Sequence, residues 1–250
     1  MYQFFVEDEQ IEKEYVTIVG DDVRHIGNVL RMRPGEEIRI SNGKGMDFFC
    51  EIAEVTADSV KAKILERTAE DTELPNRILL FQAIPKGERM EYVIQKAVEL
   101  GVYEIIPVEM KYCVVRLDEK KKEKKRERWQ AIAKSAAKQA KRSRIAQIHS
   151  VMSYREAIEY ARQCEYCLVP YENERGMSAT REVLNRIETG KDISVIIGPE
   201  GGFSEEEIEL ARQDMDVISL GKRILRTDTA AVTVMSMLML EIEMKRESVK

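Results

Sequence analysis

The sequence has little of what several common protein classes require. Its longest apolar run, residues 230–240, is interrupted by Thr233 and Ser236 and is shorter than the about 20 residues of a membrane-spanning helix. The 4 cysteines lack the spacing of a disulfide framework, which indicates reduced thiols. No basic region followed by an apolar one stands at the N-terminus, so no secretory signal is predicted. We therefore expect a cytoplasmic globular protein without a membrane segment.

Familiar catalytic and metal-binding motifs are also missing. The chain has no Walker motif, Gly-x-Ser-x-Gly elbow or Gly-x-Gly-x-x-Gly fingerprint, which argues against the commonest NTPases, hydrolases and dinucleotide-binding proteins. Cys164 and Cys167 have the spacing of a metal or redox pair, but the chain has only 2 histidines, His25 and His149, and no second close cysteine pair. A zinc ion would lack obvious ligands, so we predict no metal site.

What the sequence does contain is an ordinary globular balance, with 44% hydrophobic and 34% charged residues among 250. Its net charge of −5 is unevenly distributed, because residues 116–144 hold 13 Lys and Arg but 4 Asp and Glu. That segment carries +9 and the rest of the chain −14. The pattern favours a polyanion bound at one place on an acidic body, and a solvated helix of mixed charge is the alternative.

Short β segments dominate the first part of the chain. Strands are predicted at residues 15–19, 37–41, 47–52 and 59–64, with a helix between them at 22–32. This pattern predicts a small barrel. Residues 66–75 are polar and acidic and end in a proline, which predicts a linker. We therefore expect two domains, at residues 1–70 and 74–250.

After the linker, strands alternate with helices. Strands are predicted at residues 78–84, 103–108, 166–170, 193–197 and 217–220. Helices are predicted at residues 88–100, 118–141, 153–162, 178–187 and 205–213 and over the apolar C-terminal segment. Gly101 is expected to end the first helix. This order predicts an α/β domain with a mostly parallel sheet.

Ligands of open α/β sheets bind at the carboxyl ends of the strands, so the loops after the last three strands form the candidate site. Residues 197–204, Ile-Gly-Pro-Glu-Gly-Gly-Phe-Ser, lead into a helix, with Ser204 and Glu207 spaced as a capping box. The glycines let a ligand approach the backbone, so Gly201→Val is expected to exclude the ligand and leave the fold intact. The glutamates disfavour a phosphate and favour a cationic ligand. A glycine-rich turn without a ligand is the alternative.

A second loop, residues 220–231, leads from the last strand into the C-terminal helix. In it Ile224 and Leu225 are suited to wall an aromatic ligand. The helix itself is apolar on nearly all sides, so we expect part of residues 232–240 to be covered by a second subunit.

Several motifs occur together along the chain. The C-terminal ones are residues 197–204, Leu220-Gly221 and residues 224–227 (Ile-Leu-Arg-Thr). The others are residues 86–91, residues 95–102, and His25 with Val29-Leu30-Arg31. On these motifs the chain closely resembles the ribosomal RNA small subunit methyltransferase E family, which belongs to the SPOUT class of knotted methyltransferases. The resemblance spans nearly the whole chain, and its C-terminal motifs are highly specific.

The resemblance implies a fold class and an activity. The fold would be α/β, with an N-terminal PUA-like β-barrel that binds RNA and a C-terminal SPOUT-type parallel-sheet domain whose last segments form a trefoil knot. The activity would be transfer of a methyl group from S-adenosylmethionine to N3 of a uridine in 16S ribosomal RNA of the small subunit. The enzyme would be a homodimer.

Site residues follow from the resemblance by position. The cofactor-binding residues would be Leu168, Val169, Pro170, Ile197, Gly198, Pro199, Glu200, Gly201, Gly202, Leu220, Gly221, Ile224, Leu225 and Thr227. The RNA-binding residues are expected to be Arg24, His25, Arg31, Arg33, Lys86, Arg142 and Arg144. From its charge, the basic helix bearing residues 120–128 is also expected to contact RNA phosphates.

The chemistry of uridine suggests the catalytic residues. Because N3 must lose its proton, Arg226 is expected to stabilise the uracil anion, and a structural salt bridge is its alternative role. Glu200 would act as a base or as a partner of a helix N-terminus.

Two departures from the family pattern leave details open. Asp228 stands where the family usually has Glu, and residues 139–144 differ from the usual sequence, so either Arg142 or Arg144 would contact RNA. Two other functions also stay open: an RNA-binding protein whose α/β domain is a non-catalytic platform, and a SPOUT enzyme that acts on transfer RNA. Cofactor binding separates the platform from the enzymes.

Overall fold

A computed structural model describes residues 1–68, 72–174 and 176–247. The chain forms two compact units. Unit 1 comprises Met1–Glu73 and Ala137–Ile145, and unit 2 comprises Leu74–Ala136 and Ala146–Lys250. Unit 1 therefore includes a segment that the domain prediction assigned to the second domain. Part of the predicted linker at residues 66–75 belongs to a strand that runs to Thr68, and residues 69–71 lie outside the described residues.

Unit 1 contains a five-stranded sheet. Its strands are β1 (Tyr2–Phe5), β2 (Tyr15–Val19), β3 (Glu37–Ser41), β4 (Asp47–Val55) and β5 (Ser59–Thr68). They lie in the order β1-β3-β4-β5-β2, with β1 parallel to β3 and the other pairs antiparallel. All four predicted strands are confirmed, whereas β1 was missed. The predicted helix at 22–32 is a short α1 (Asp21–Arg24) followed by a π-helical turn at His25–Leu30.

A buried polar network joins the distant segment Ala137–Ile145 to this sheet. The Ser41 hydroxyl donates to the carbonyl of Ser143 (2.8 Å), and the Ser143 hydroxyl donates to Asp47 (2.5 Å). Arg39 also donates to Asp47 (2.5 Å), and the Gln3 amide donates to the carbonyl of Arg142 (2.7 Å). Because Asp47 is fully buried, these partners are required to offset its desolvation.

Unit 2 is built on a parallel sheet. Its strands are β6 (Ile78–Ala83), β7 (Glu104–Glu109), β8 (Gln147–Ile148), β9 (Met152–Ser153), β10 (Tyr166–Pro170), β11 (Ile193–Ile197) and β12 (Asp216–Ile218). They lie in the order β12-β10-β11-β6-β7-β8, with β9 also paired to β7, and all pairs are parallel. Every residue of β6 and β11 is buried, as expected for central strands covered on both faces.

The helices of unit 2 follow the predicted order. They are α2 (Arg89–Glu99), α4 (Tyr154–Ala161), α5 (Ser178–Arg186), α6 (Glu205–Arg212) and α7 (Thr227–Glu247), and α3 (Glu119–Gln139) runs from unit 2 into unit 1. Gly101, at φ +90°, follows α2 as predicted, and Ser204 and Glu207 form the predicted capping box of α6. No helix of the described residues is long and apolar enough to cross a bilayer.

Candidate functional site

A cavity of about 380 Å³ lies at the carboxyl edge of the sheet, where β10, β11 and β12 are neighbours. Since these strands are parallel, the loops that follow them meet at one edge. The cavity is lined by Pro170, Tyr171, Glu172, residues 197–203, Leu220, Gly221, residues 223–227 and Ala230. A volume in this range suits a small organic ligand.

The glycine-rich loop after β11 is tightly packed from behind. A Cβ atom on Gly201 would come within 2.8 Å of Tyr112 Cβ, and one on Gly198 within 2.8 Å of the Phe203 ring. Gly202 has φ +73°, a conformation that favours glycine. The expectation that Gly201→Val excludes a ligand without disturbing the fold is therefore wrong, because the new side chain would first displace the loop from Tyr112.

A buried hydroxyl connects this loop to the start of α7. Thr227 Oγ1 donates to the carbonyl of Gly198 (2.7 Å) and accepts a hydrogen bond from Gln82 Nε2 (2.9 Å). Gln82, at the end of β6, is fully buried and also donates to the carbonyl of Ala83. Sequence reasoning missed Gln82. Its signal is one amide side chain in an otherwise apolar strand, which implies a specific partner.

Two buried side-chain oxygens, one on Gln82 and one on the residue after Thr227, have no hydrogen-bond partner among the described residues. They are Gln82 Oε1 and Asp228 Oδ1, and Asp228 directly follows Thr227. Native structures rarely leave such atoms unpaired, so they are places where water or a ligand group is expected.

The Glu200 carboxylate is held by two neighbours, Lys86 and Arg89. Its Oε1 accepts hydrogen bonds from the backbone N–H of Lys86 (3.0 Å) and from Arg89 Nη1 (2.7 Å). Burial raises the pKa of the Glu200 carboxyl, but these bonds and one from its own backbone N–H outweigh burial, so the pKa lies below its ordinary value. The two hydrogen bonds and the lowered pKa both oppose the predicted role of Glu200 as a base. They favour the alternative role, a carboxylate bound in front of the N-terminus of α2.

Arg226, Arg223 and Ile224 form the outer part of the cavity wall. All three are exposed, Ile224 by 85%. Within the part of the chain that the structure describes, neither arginine side chain has an ion pair. The salt bridge considered as an alternative role for Arg226 is therefore not formed with any described residue.

Most of the proposed cofactor residues come together in this cavity. Twelve of the fourteen line it, whereas Leu168 and Val169 are fully buried in β10 and do not. Five further lining residues belong to the predicted loops but were not among the predicted cofactor residues: Tyr171, Glu172, Phe203, Arg223 and Ala230.

The proposed RNA-binding residues of unit 1 differ in exposure. Arg24, His25, Arg31 and Arg33 are exposed around the π-helical turn. Arg142 is only 3% exposed, because its Nη2 donates to Glu73 Oε2 (2.5 Å) inside unit 1. The expectation that Arg142 contacts RNA is therefore wrong for the protein as folded.

Arg144 is half-buried, and its Nη2 donates to the carbonyl of Lys44 (2.9 Å). Lys86, in unit 2, is exposed. It lies close to the glycine-rich loop after β11, since its backbone N–H donates to the Glu200 carboxylate in that loop. Of the two arginines left open by the sequence, Arg144 is thus the more accessible.

Acidic neighbours offset much of the charge on α3. Lys121 pairs with Asp118, Lys122 with Glu109 and Glu119, Arg126 with Glu123, and Arg128 with Glu91. Such exposed pairs contribute little to stability, but they lower the positive field along the helix. The alternative reading, a solvated helix of mixed charge, thus describes a good part of this segment.

The cysteines with metal-like spacing are packing residues. Cys164 and Cys167 are buried free thiols, and burial raises the pKa of Cys164 to about 12. Among residues 1–68, 72–174 and 176–247, no group of three or more His, Cys, Asp or Glu side chains is arranged to hold a metal ion.

Two family profiles match the chain. Residues 18–65 match a profile described as an RNA methyltransferase PUA domain, and residues 72–239 match one described as an RNA methyltransferase domain. The first match ends just before the predicted linker at residues 66–75, and the second begins within it.

Named relatives extend over the full length. The chain is 37% identical to ribosomal RNA small subunit methyltransferase E of Bacillus subtilis, over 98% of this chain and 99% of that protein. A methyltransferase of Legionella pneumophila with bound S-adenosylmethionine is similar in structure, with a TM-score of 0.84 and 33% identity over 96% of this chain and 97% of that one. Ribosomal RNA small subunit methyltransferase E of Neisseria gonorrhoeae, also bound to S-adenosylmethionine, gives a TM-score of 0.83 and 32% identity over 96% and 97%.

Proposed function

The chain belongs to the ribosomal RNA small subunit methyltransferase E family, and from this premise we propose that it methylates N3 of a uridine in 16S ribosomal RNA with S-adenosylmethionine as donor. One observation carries the proposal. The glycine-rich loop, the loop before α7 and the loop after β10 enclose a single cavity at the carboxyl edge of a parallel sheet. In two relatives of the same fold, S-adenosylmethionine is bound.

The chemistry of the cavity wall fits this donor. Ile197, Leu220 and Leu225 supply apolar surface for an adenine ring, and the backbone of Gly198 and Gly221 offers polar groups at its edges. When bound, S-adenosylmethionine supplies an electrophilic methyl group on a positively charged sulfur. The protein then has to hold the donor and the target base in line and exclude water.

Arg226 is proposed to stabilise the uracil anion. N3 of uridine must lose its proton before it can accept a methyl group, and a nearby guanidinium lowers the free energy of the resulting anion. Arg226 lines the cavity, is exposed and keeps its charge at any working pH. Glu200 is instead proposed to position the loop, because its carboxylate is already bonded to Arg89 and to the backbone of Lys86.

RNA binding is proposed for the exposed cations of both units. Arg24, Arg31 and Arg33 lie in or beside the segment that matches the PUA profile, and Lys86 adjoins the cavity loop of unit 2. Phosphate contacts release counterions, so RNA affinity should fall steeply with salt and should fall further on charge reversal at Arg31. Calorimetry with S-adenosylmethionine should be unaffected by that change. A flat salt dependence would contradict this assignment.

We further propose a homodimer in the cytoplasm, and a trefoil knot in unit 2 stays a prediction. The dimer is supported by exposed apolar residues on α2 and α7: Tyr92, Leu240 and Met244 are each about half exposed. Covering such a patch is a common reason for association. Light scattering at micromolar concentration should give twice the chain mass, and a monomer mass would contradict the dimer.

The activity itself is tested on RNA from a strain that lacks the protein. Nucleosides of 16S ribosomal RNA are analysed by mass spectrometry before and after incubation with the protein and S-adenosylmethionine. We expect N3-methyluridine to appear only after incubation. Methylation of transfer RNA instead, or a protein that binds RNA but not S-adenosylmethionine, would overturn the proposal in favour of one of the two alternatives.

A further inference from the structure

Two carboxylates line the cavity, and their surroundings differ. The Glu200 carboxylate is bonded to Arg89 Nη1 and to the backbone N–H of Lys86. The Glu172 carboxylate forms no ion pair or hydrogen bond with any of the residues that the structure describes. The charge of Glu200 is thus largely offset by the protein, whereas that of Glu172 has no counter-charge among residues 1–68, 72–174 and 176–247.

The backbone opposite Glu172 leaves room for this carboxylate. Glu172 follows β10 by two residues, and a Cβ atom placed on Gly202 would lie 2.5 Å from Glu172 Oε1. Gly202 also has a positive φ, a conformation that favours glycine. The exposed carboxylate therefore lies beside the glycine-rich loop, in the wall of the cavity.

The donor and its product differ by one charge. S-adenosylmethionine has a positive sulfur, whereas S-adenosylhomocysteine, left after methyl transfer, has a neutral thioether at the same position. A trialkyl sulfonium has no N–H or O–H to donate, so a protein recognises it chiefly through the field of nearby negative charge. Arg223 and Arg226 line the same cavity and oppose a cation, and a carboxylate in the cavity wall counteracts them.

We propose that Glu172 is a specificity-determining residue, whose carboxylate makes the cavity favour S-adenosylmethionine over S-adenosylhomocysteine. This inference rests on the proposed function, because it takes S-adenosylmethionine as the ligand of the cavity. A unit charge that acts across a partly hydrated cavity of this size changes a binding equilibrium by roughly tenfold. Loss of the charge should therefore remove a preference of about that factor and also slow the exchange of product for donor.

The test measures the affinity of purified protein for each ligand by calorimetry. In Glu172→Gln, which keeps the shape of the side chain, we expect binding of S-adenosylmethionine to weaken roughly tenfold while binding of S-adenosylhomocysteine changes less than about twofold. Raising the salt concentration should reduce the preference in the wild type and have little effect on it in the variant. The matched control is Glu205→Gln, an exposed glutamate in the first turn of α6 that does not line the cavity. It should leave both affinities unchanged.

The outcomes separate this inference from the function on which it rests. If wild-type protein binds neither ligand, the proposed function fails. If it binds both and Glu172→Gln weakens both equally, the carboxylate contacts a group that the two ligands share, and the inference is overturned. Unchanged affinities in Glu172→Gln would also overturn it, as would an equal loss of preference in Glu205→Gln, which would indicate a general effect of surface charge.

Discussion

The hydroxyl of Thr227 should contribute both to stability and to cofactor affinity. It bridges the Gly198 carbonyl and the Gln82 amide, and both Thr227 and Gln82 are buried. Thr227→Val keeps the shape of the side chain but leaves the carbonyl and one amide hydrogen without a partner. Each unpaired group costs about 1–3 kcal/mol, so for the two groups we expect a loss of about 2–6 kcal/mol. For a chain of this length this lowers the melting temperature by about 4–24 °C.

Cofactor affinity should fall with it, because the displaced loop must be restored when the ligand binds. Calorimetry should show S-adenosylmethionine binding at least about tenfold more weakly in Thr227→Val, whereas Thr227→Ser, which keeps the hydroxyl, should bind almost as the wild type does. Gln82→Met leaves the bond from Thr227 to Gly198 in place and should have a smaller effect on affinity than Thr227→Val. If Thr227→Val melts within about 2 °C of Thr227→Ser and binds equally well, the hydroxyl bridge does not position the loop.

Three further predictions concern other residues of the two units. Arg226→Met should lower the single-turnover methylation rate far more than the affinity for the methyl donor or RNA. The rate should partly recover at higher pH, because uracil N3 then loses its proton in solution. A rate deficit that does not change with pH would contradict anion stabilisation by Arg226. The pKa of Glu200 lies below its ordinary value of 4.5, so the ionised carboxylate should stabilise the fold fully above pH 4.5. This stabilisation should be lost as the pH falls through the lowered pKa. Melting temperatures of wild type and Glu200→Gln, measured across pH 3–8, should therefore converge only in acid. Arg142→Ala should destabilise unit 1 by about 3–5 kcal/mol, since it leaves Glu73 without its buried partner, and a denaturant midpoint equal to that of wild type would show that the pair contributes nothing.

The arrangement of elements could be predicted because its signals are local. Alternating or β-branched runs mark the strands, and turn residues such as Gly101 mark their connections. The parallel sheet then determines that the loops after β10, β11 and β12 meet, whatever their detailed path. The sheet geometry predicts which loops form the site, whereas the twelve predicted cofactor residues that line the cavity follow from the resemblance to the family.

What could not be predicted depends on contacts between residues far apart in sequence. Arg142 looks like a surface cation, because its partner Glu73 is 69 positions away. Gly201 looks like a glycine kept for a ligand, whereas the residue that requires it is Tyr112. Gln82 looks like an interruption of an apolar strand, because its partner Thr227 is 145 positions away. In each case the sequence shows the residue type, whereas the contact that explains it is seen only in the folded structure.

The join between Asp47 and Ser143 has a consequence for the order of events during synthesis. The two residues are 96 positions apart, so the buried carboxylate cannot receive the Ser143 hydroxyl until the chain has grown well past the five strands around it. At about 5–20 residues per second, translation of the intervening stretch takes about 5–20 s. During that interval the nascent N-terminal sheet has a charged side chain without one of its two partners. The buried network around Asp47 can therefore be completed only after Ser143 has been synthesised.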